Sequence, residues 1–334
     1  MTSSNNDFDK ENMREVISLL PNQFTQAFEE VTIKLSSDTK KIILSGMGGS
    51  ALPANLLKVF LSVTGSNFNI PITINRDYTL PKQVDETWCG IFSSYSGNTE
   101  ETLACLTEAE KRGIKQIVVL AHAGKLKQIA EDKGYLFIEI PDTLQPRLSY
   151  GYLIGAMLKL FSNSSLLTLD FSEIAADVET CLNLNSKLEE QGKALAETIK
   201  GKIPIVYASN IWKYLAMVWK INFNENAKTQ SFWNCFPELN HNEMVGFTNL
   251  VADYKIIILN DPSDHERIQK RIDVFKQVLG DKMDIEIITM HGETPFIKIL
   301  STLLLGQWTS YHLALLYGID PAPVDMVEEF KKKI

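Results

Sequence analysis

At 334 residues the chain is too long for one average domain, and 45% hydrophobic with 22% charged content suits a globular protein with a large core. A net charge of −8 excludes the broad basic face that nucleic acid or anionic lipid needs, yet allows a small anion held by local backbone amides. No apolar stretch approaches the ~20 residues of a membrane span. The opening MTSSNNDFDKENMREV lacks the basic and apolar regions of a signal peptide, and Cys89, Cys105, Cys181 and Cys235 form no CxxC pair. The expectation is a cytoplasmic protein with free thiols and no nucleic-acid or membrane partner.

Residues 9–37 carry apolar side chains at helical spacing (Val16, Leu19, Leu20, Phe24, Phe28, Val31) and read as one or two leading helices. Strands and helices then alternate. Lys41–Ser45 is a strand ending in a glycine turn, and Ser50–Val63 is a helix with Pro53 assigned to its first turn, where a missing N–H costs little. Ile70–Asn75 and Trp88–Ser94 read as strands, Glu100–Arg112 as a helix, Gln116–Ala121 as a strand, Lys125–Lys133 as a helix and Tyr135–Ile140 as a strand. An apolar helix is predicted over Arg147–Phe161 and a long polar-faced one over Phe171–Ile199. The pattern restarts with strand Ile203–Ala208, helix Ile211–Phe223, strand Tyr254–Leu259, helix Asp264–Leu279, strand Ile285–Met290, helix Thr294–Tyr317 and a closing helix Ala322–Lys333. The aromatic stretch Phe232–Phe236 reads as interface or core. Short continuous apolar strands between amphipathic helices imply an α/β fold of two doubly wound domains, with mainly parallel sheets flanked by helices. The expected organisation is a helical segment over 1–38 packing on the body, a first domain over 39–165, a linker helix over 166–200, and a second domain over 201–334 that includes the C-terminal helix.

Two segments in the first domain suit an anion. Ser45-Gly-Met-Gly-Gly-Ser50 joins a strand to a helix, where glycines let backbone amides approach a ligand and the helix start offers unpaired N–H groups. A purely structural tight turn is the alternative. Ser93-Ser-Tyr-Ser-Gly-Asn-Thr99 is again strand to helix, with hydroxyls at Ser94, Ser96 and Thr99. Helix capping explains one of these hydroxyls but not three. GMGGS followed by SYSGNTEET is very similar to the sugar isomerase (SIS) domain family over residues 40–140, which implies SIS-type domains and a phosphorylated sugar as ligand. The resemblance also places Gly48, Gly49, Ser50, Ser94, Ser96 and Thr99 at the phosphate.

The second domain carries NENAK (Asn224–Lys228) and ELNHNEMVGF (Glu238–Phe247). Interconverting an aldose and a ketose requires a base that moves a proton between C1 and C2, help in opening the ring, and positive charge beside the enediolate. Taken singly, Glu225 is also a solvated helix face, His241 a loop residue, and Arg147 a surface charge after a proline turn. Together with Gln145-Pro-Arg147 and the closing Pro321–Lys331 segment, these motifs resemble the bifunctional phosphoglucose/phosphomannose isomerases over essentially the whole chain. That resemblance implies Glu225 as base, His241 assisting ring opening from a partner subunit of a homodimer, Arg147 on the enediolate, and Lys331 as a second ring-opening group. Lys331, Lys332 and Lys333 form one basic run, and register along the helix selects Lys331. The family often has Thr seven residues before that lysine; Val324 stands there, removing a hydroxyl expected to help accommodate both C2 epimers.

No cofactor is expected, nor a metal, because the five histidines show no HxxxH or HxH spacing and no cysteine cluster accompanies them. A Walker loop is also missing from the sequence. Another SIS isomerase acting on pentose or amino-sugar phosphates is the alternative among enzymes, and a non-catalytic sugar-phosphate sensor the alternative outside them.

Overall fold

The computed structural model describes residues 8–334; the start of the expected leading segment, residues 1–7, lies outside the described residues. Helices α1 (Met13–Leu19) and α2 (Asn22–Glu30) come first. Then follow β1 (Ile42–Gly46), α3 (Gly48–Val63), β2 (Ile72–Asn75), β3 (Cys89–Ser93), α4 (Glu100–Lys111), β4 (Gln116–Ala121), α5 (Gly124–Lys133), β5 (Leu136–Glu139), α6 (Tyr150–Asn163) and α7 (Phe171–Ile199). The remainder is β6 (Ile203–Ser209), α8 (Lys213–Glu225), β7 (Phe232–Phe236), β8 (Tyr254–Asn260), α9 (Glu266–Leu279), β9 (Asp284–Thr289), α10 (Pro295–Leu316) and α11 (Asp325–Lys331). The chain forms two compact units: a first of Leu19–Glu179, and a second of Thr180–Ile334 with the N-terminal segment through Ser18.

In the first unit five strands run parallel in the order β2-β1-β3-β4-β5. Every residue of β1 and β3 is buried. That is why these strands read as unbroken apolar runs: helices cover both faces of the sheet. Ile43, Phe92 and Val119 pack against Cys105, Leu106 and Ala109 of α4 and Leu126 and Ala130 of α5. Each large aliphatic side chain buried here contributes about 1.5–3 kcal/mol. Strand order reverses between β1 and β3, so their carboxyl ends form the crevice where open α/β sheets take ligands.

The second unit has four parallel strands, β7-β6-β8-β9. Tyr207, Phe236 and Phe275 meet edge to face, with Leu239, Ile256 and Ile258 around them. Lys255 is buried on β8 and pairs with Asp284 at 2.8 Å and Glu286 at 2.9 Å on β9, which pins the register of that edge strand. Among the described residues no helix is long and apolar enough to cross a membrane.

Four local readings change. Helix α3 starts at Gly48, so Pro53 falls in its second turn, and the Gly49 carbonyl loses its helical donor. Arg147 sits in a separate 3-10 turn, Pro146–Leu148, and α6 begins only at Tyr150. Phe232–Phe236 forms an edge strand; Asn234 and Cys235 in its middle break the apolar run that marks the buried strands. The closing helix is trimmed to Asp325–Lys331, since Pro321 and Pro323 hold the preceding backbone out of helical geometry.

Candidate active site

Residues Gly46 of β1 and Ser93 of β3 are register partners, so the two loops that leave these strands are neighbours. They are tied directly: the Tyr95 amide donates to Ser50 Oγ at 2.9 Å. Ser50 is buried and thereby acts as a bridge, with its hydroxyl proton still available to a ligand. Thr99 occupies the cap position of α4 but makes no side-chain capping bond, and its Oγ1 lies 2.7 Å from Ser94 Oγ. The capping alternative is thus not realised at Thr99. Ser94 is buried, Thr99 half-buried and Ser96 exposed, where Ser96 Oγ accepts from the Asn98 amide at 3.3 Å. A 16-residue helix, α3, begins at Gly48 and a 12-residue helix, α4, at Glu100, so two partial positive ends meet at one crevice.

Two glycines here are demanded by space. A Cβ on Gly49 would lie 2.9 Å from the Arg147 nitrogen and 2.9 Å from the Pro146 carbonyl carbon. This contact seats the Arg147 turn directly on the glycine loop, and Arg147 itself is 1% exposed. Gly97 has φ +66°, and its Cβ would lie 1.7 Å from the Ala123 carbonyl oxygen, where the loop after β4 crosses the hydroxyl loop. Gly97→Ala is therefore expected to cost about 3 kcal/mol or more, through backbone strain and a clash that only movement of the loop relieves. Urea unfolding would read this as a lower midpoint.

In the second unit Glu225 is the last residue of α8 and is half-buried. Its carbonyl accepts from Lys228 Nζ at 2.7 Å, and the same ammonium reaches the Pro321 carbonyl at 3.0 Å, clamping the start of the C-terminal segment onto this turn. Pro321 lies far along the chain from Lys228, so nothing local in the sequence announces that clamp. Lys331 stands in the last turn of α11, exposed and paired with Glu328 at 2.7 Å. Val324 is half-buried just before α11.

His241 is exposed at the end of a 3-10 turn, Glu238–His241. Its flanks are held firmly: Leu239 is fully buried, Asn240 Oδ1 accepts from Arg271 at 3.2 Å, and the Glu243 carboxylate accepts from Tyr207 and Asn234. Burial and the Glu243 charge push the Tyr207 phenol well above its usual pKa, so it remains a donor. The sheet separates His241 from Glu225. Strand β7 runs parallel to β6, so α8 must travel back along the sheet toward the amino ends of the strands, where Ser231, just before β7, donates to the Pro204 carbonyl at 2.8 Å. The Asn210 amide donates to Phe236 O at 3.0 Å, which marks the carboxyl edge where the His241 loop begins. A five-residue strand spans roughly 16 Å, so the two residues of one chain sit at opposite edges of this sheet.

Among the described residues no group of three His, Cys, Asp or Glu side chains is placed to hold a metal ion. The four cysteines are free, and burial pushes the Cys89 thiol up to about 12, which keeps it from acting as a nucleophile.

The family described as the bacterial phospho-glucose isomerase C-terminal SIS domain matches residues 188–334. A bifunctional phosphoglucose/phosphomannose isomerase of Caldicellulosiruptor bescii is 36% identical over 339 residues, covering 96% of this chain and 98% of its own. The chain belongs to the bifunctional phosphoglucose/phosphomannose isomerase family. Another such isomerase, from Aquifex aeolicus, is 34% identical over 96% of this chain and 99% of its own. The bifunctional isomerase fold extends to more distant proteins. The C-terminal domain of glucosamine-fructose-6-phosphate aminotransferase from Francisella tularensis superposes with a TM-score of 0.67 at 15% identity, over 96% of this chain and 100% of that one.

Proposed function

We propose that this protein is an aldose–ketose isomerase of carbohydrate metabolism. It interconverts glucose 6-phosphate and mannose 6-phosphate with fructose 6-phosphate through a cis-enediolate, without a metal, in the cytoplasm. The observation that carries this reading is Arg147, a permanent charge almost wholly buried and seated on Gly49 of the first helix-start loop. A buried arginine whose backbone packs on the glycine turn suits a negative charge that appears only during reaction.

The backbone at Gly48 and Gly49 and the hydroxyls of Ser50, Ser94, Ser96 and Thr99 hold the phosphate, and binding energy from that non-reacting group positions C1 and C2. Ring opening breaks the C1–O5 bond and moves the O1 proton to O5, with His241 and Lys331 assisting. Glu225 takes the hydrogen from C2, and the carbonyl oxygen on C1 gains the charge that Arg147 offsets. The carboxyl then returns its proton to C1 while the O2 proton passes to O1, which leaves a hydroxyl on C1 and a ketone at C2. Glucose and mannose 6-phosphates differ only at C2 and give the same enediolate, so one base serves both when rotation about the C2–C3 bond turns either C2 hydrogen toward it. With Val324 in place of a hydroxyl, kcat/KM for mannose 6-phosphate is expected to fall below that for glucose 6-phosphate.

The separation of Glu225 from His241 across one sheet supports a homodimer in which each site takes His241 from the partner. Isomerisation of both substrates, followed by coupled detection in the presence of EDTA, tests the whole reading. Full activity with the chelator is expected, and glucosamine 6-phosphate should be turned over poorly or not at all. Tight sugar-phosphate binding without turnover would instead support a sensor, and loss of activity restored by a divalent ion would overturn metal independence.

A further inference from the structure

Tyr95 lies between two of the hydroxyls placed at the phosphate, yet it is 9% exposed and reaches three other segments of the first unit. Its amide donates to Ser50 Oγ at 2.9 Å in the first turn of α3, and its carbonyl accepts from the His122 amide at 2.9 Å in the loop after β4. The ring stacks on His122, with centroids 5.5 Å apart and planes 18° from parallel. The phenol then donates to Asp142 Oδ1 at 2.8 Å and accepts from the Thr143 amide at 2.7 Å. Asp142 and Thr143 open the turn that delivers Arg147. That turn is tight: the Leu144 amide also bonds Asp142 Oδ1 at 3.2 Å, Leu144 has φ +66°, and the Gln145 amide bonds Thr143 O at 2.8 Å. Two residues later the Arg147 backbone rests on Gly49, in the same loop that carries Ser50. The links close a circuit from Ser50 through Tyr95, Asp142 and Arg147 back to Gly49.

We propose that Tyr95 is a positioning residue that couples the phosphate loops to Arg147, so that gripping the phosphate also sets where the guanidinium stands. The hydroxyls flanking Tyr95 hold the ester, while its phenol holds the turn that carries the catalytic charge. Burial, together with Asp142, raises the phenol above its usual pKa, and the Tyr95 bond lowers Asp142, so the donor and acceptor roles hold at neutral pH. The inference rests on Arg147 serving the reacting sugar.

Tyr95→Phe keeps the ring, the stacking and both backbone bonds, and removes only the hydroxyl. Misplacing a reacting group by about 1 Å costs on the order of a hundredfold in rate. The expected result is therefore a kcat for glucose 6-phosphate lowered roughly 10- to 100-fold, with KM and the inhibition constant of inorganic phosphate changed by less than about threefold. A residue that only supports the fold would move Tm and all three constants together. Asp142→Ala should reproduce the kcat defect, Asp142→Asn, which keeps an acceptor for the phenol, should restore most of it, and the Tyr95→Phe/Asp142→Ala pair should be less than additive. Wild-type kcat in both Tyr95→Phe and Asp142→Ala, or weakened phosphate inhibition with kcat intact, overturns the coupling. Arg147→Ala is the control: if it retains wild-type kcat, the role given to Arg147 fails, whatever Tyr95 does.

Discussion

Replacing Glu225 by Gln is expected to lower kcat for glucose 6-phosphate by about 10³-fold or more while KM stays within a few-fold. Gln keeps the length and polarity of the side chain but cannot hold the proton that must pass between C2 and C1. The turn has main-chain and neighbouring side-chain bonds that the substitution leaves in place. Lys228 grips the Glu225 main-chain carbonyl, and Asn224 Nδ2 bonds Thr229 O at 2.9 Å, so the variant should fold with an unchanged Tm. Phosphate affinity should persist as well, because none of the hydroxyls in the loops after β1 and β3 is touched. Exchange of substrate hydrogen with deuterium oxide should be lost in parallel with turnover, since both need the same base. Near-wild-type kcat in Glu225→Gln would remove this residue from proton transfer and leave the base unidentified.

Mixing inactive Glu225→Gln and His241→Ala proteins and allowing subunit exchange is expected to restore about a quarter of wild-type activity. Random exchange makes about half of the dimers mixed. In a mixed dimer one site combines both defects, and the other combines an intact Glu225 with an intact His241 from the partner. The physical ground is the order β6, α8, β7, which puts the end of α8 and the loop after β7 at opposite ends of the second sheet's strands. His241 is exposed on a turn whose neighbours are all fastened, the arrangement expected of a side chain presented outward at fixed geometry. Restoration near zero, with exchange verified by mass-tagged subunits, would mean that each site is complete within its own chain or that His241 is dispensable.

Sequence reading and structure agree most closely where one residue type has one physical use. Unbroken runs rich in β-branched residues, such as Ile117–Val118–Val119–Leu120, read as strands buried on both faces, and α7 ends where its amphipathic pattern ends. Agreement is poorer where tertiary neighbours decide. Phe232–Phe236 is a strand because β6 offers its edge, and Pro53 falls in the second turn of α3 because that helix begins at the glycines rather than after them. The hydroxyls of the SYSGNT loop could each have been helix caps; only the coordinates place Thr99 against Ser94 instead.

By itself the sequence determined the α/β class, the alternation of elements and the two helix-start loops, because periodicity and glycine or hydroxyl chemistry are written locally along the chain, whereas Glu225, His241 and Arg147 stood out only through the resemblance of their motifs to a family. Tertiary structure alone decided that β1 and β3 are neighbours, that Gly49 must be small because the Arg147 turn rests on it, and that Tyr95 ties both loops to that turn. These depend on contacts between residues tens of positions apart, and no local pattern of side chains encodes which distant backbone will arrive beside it.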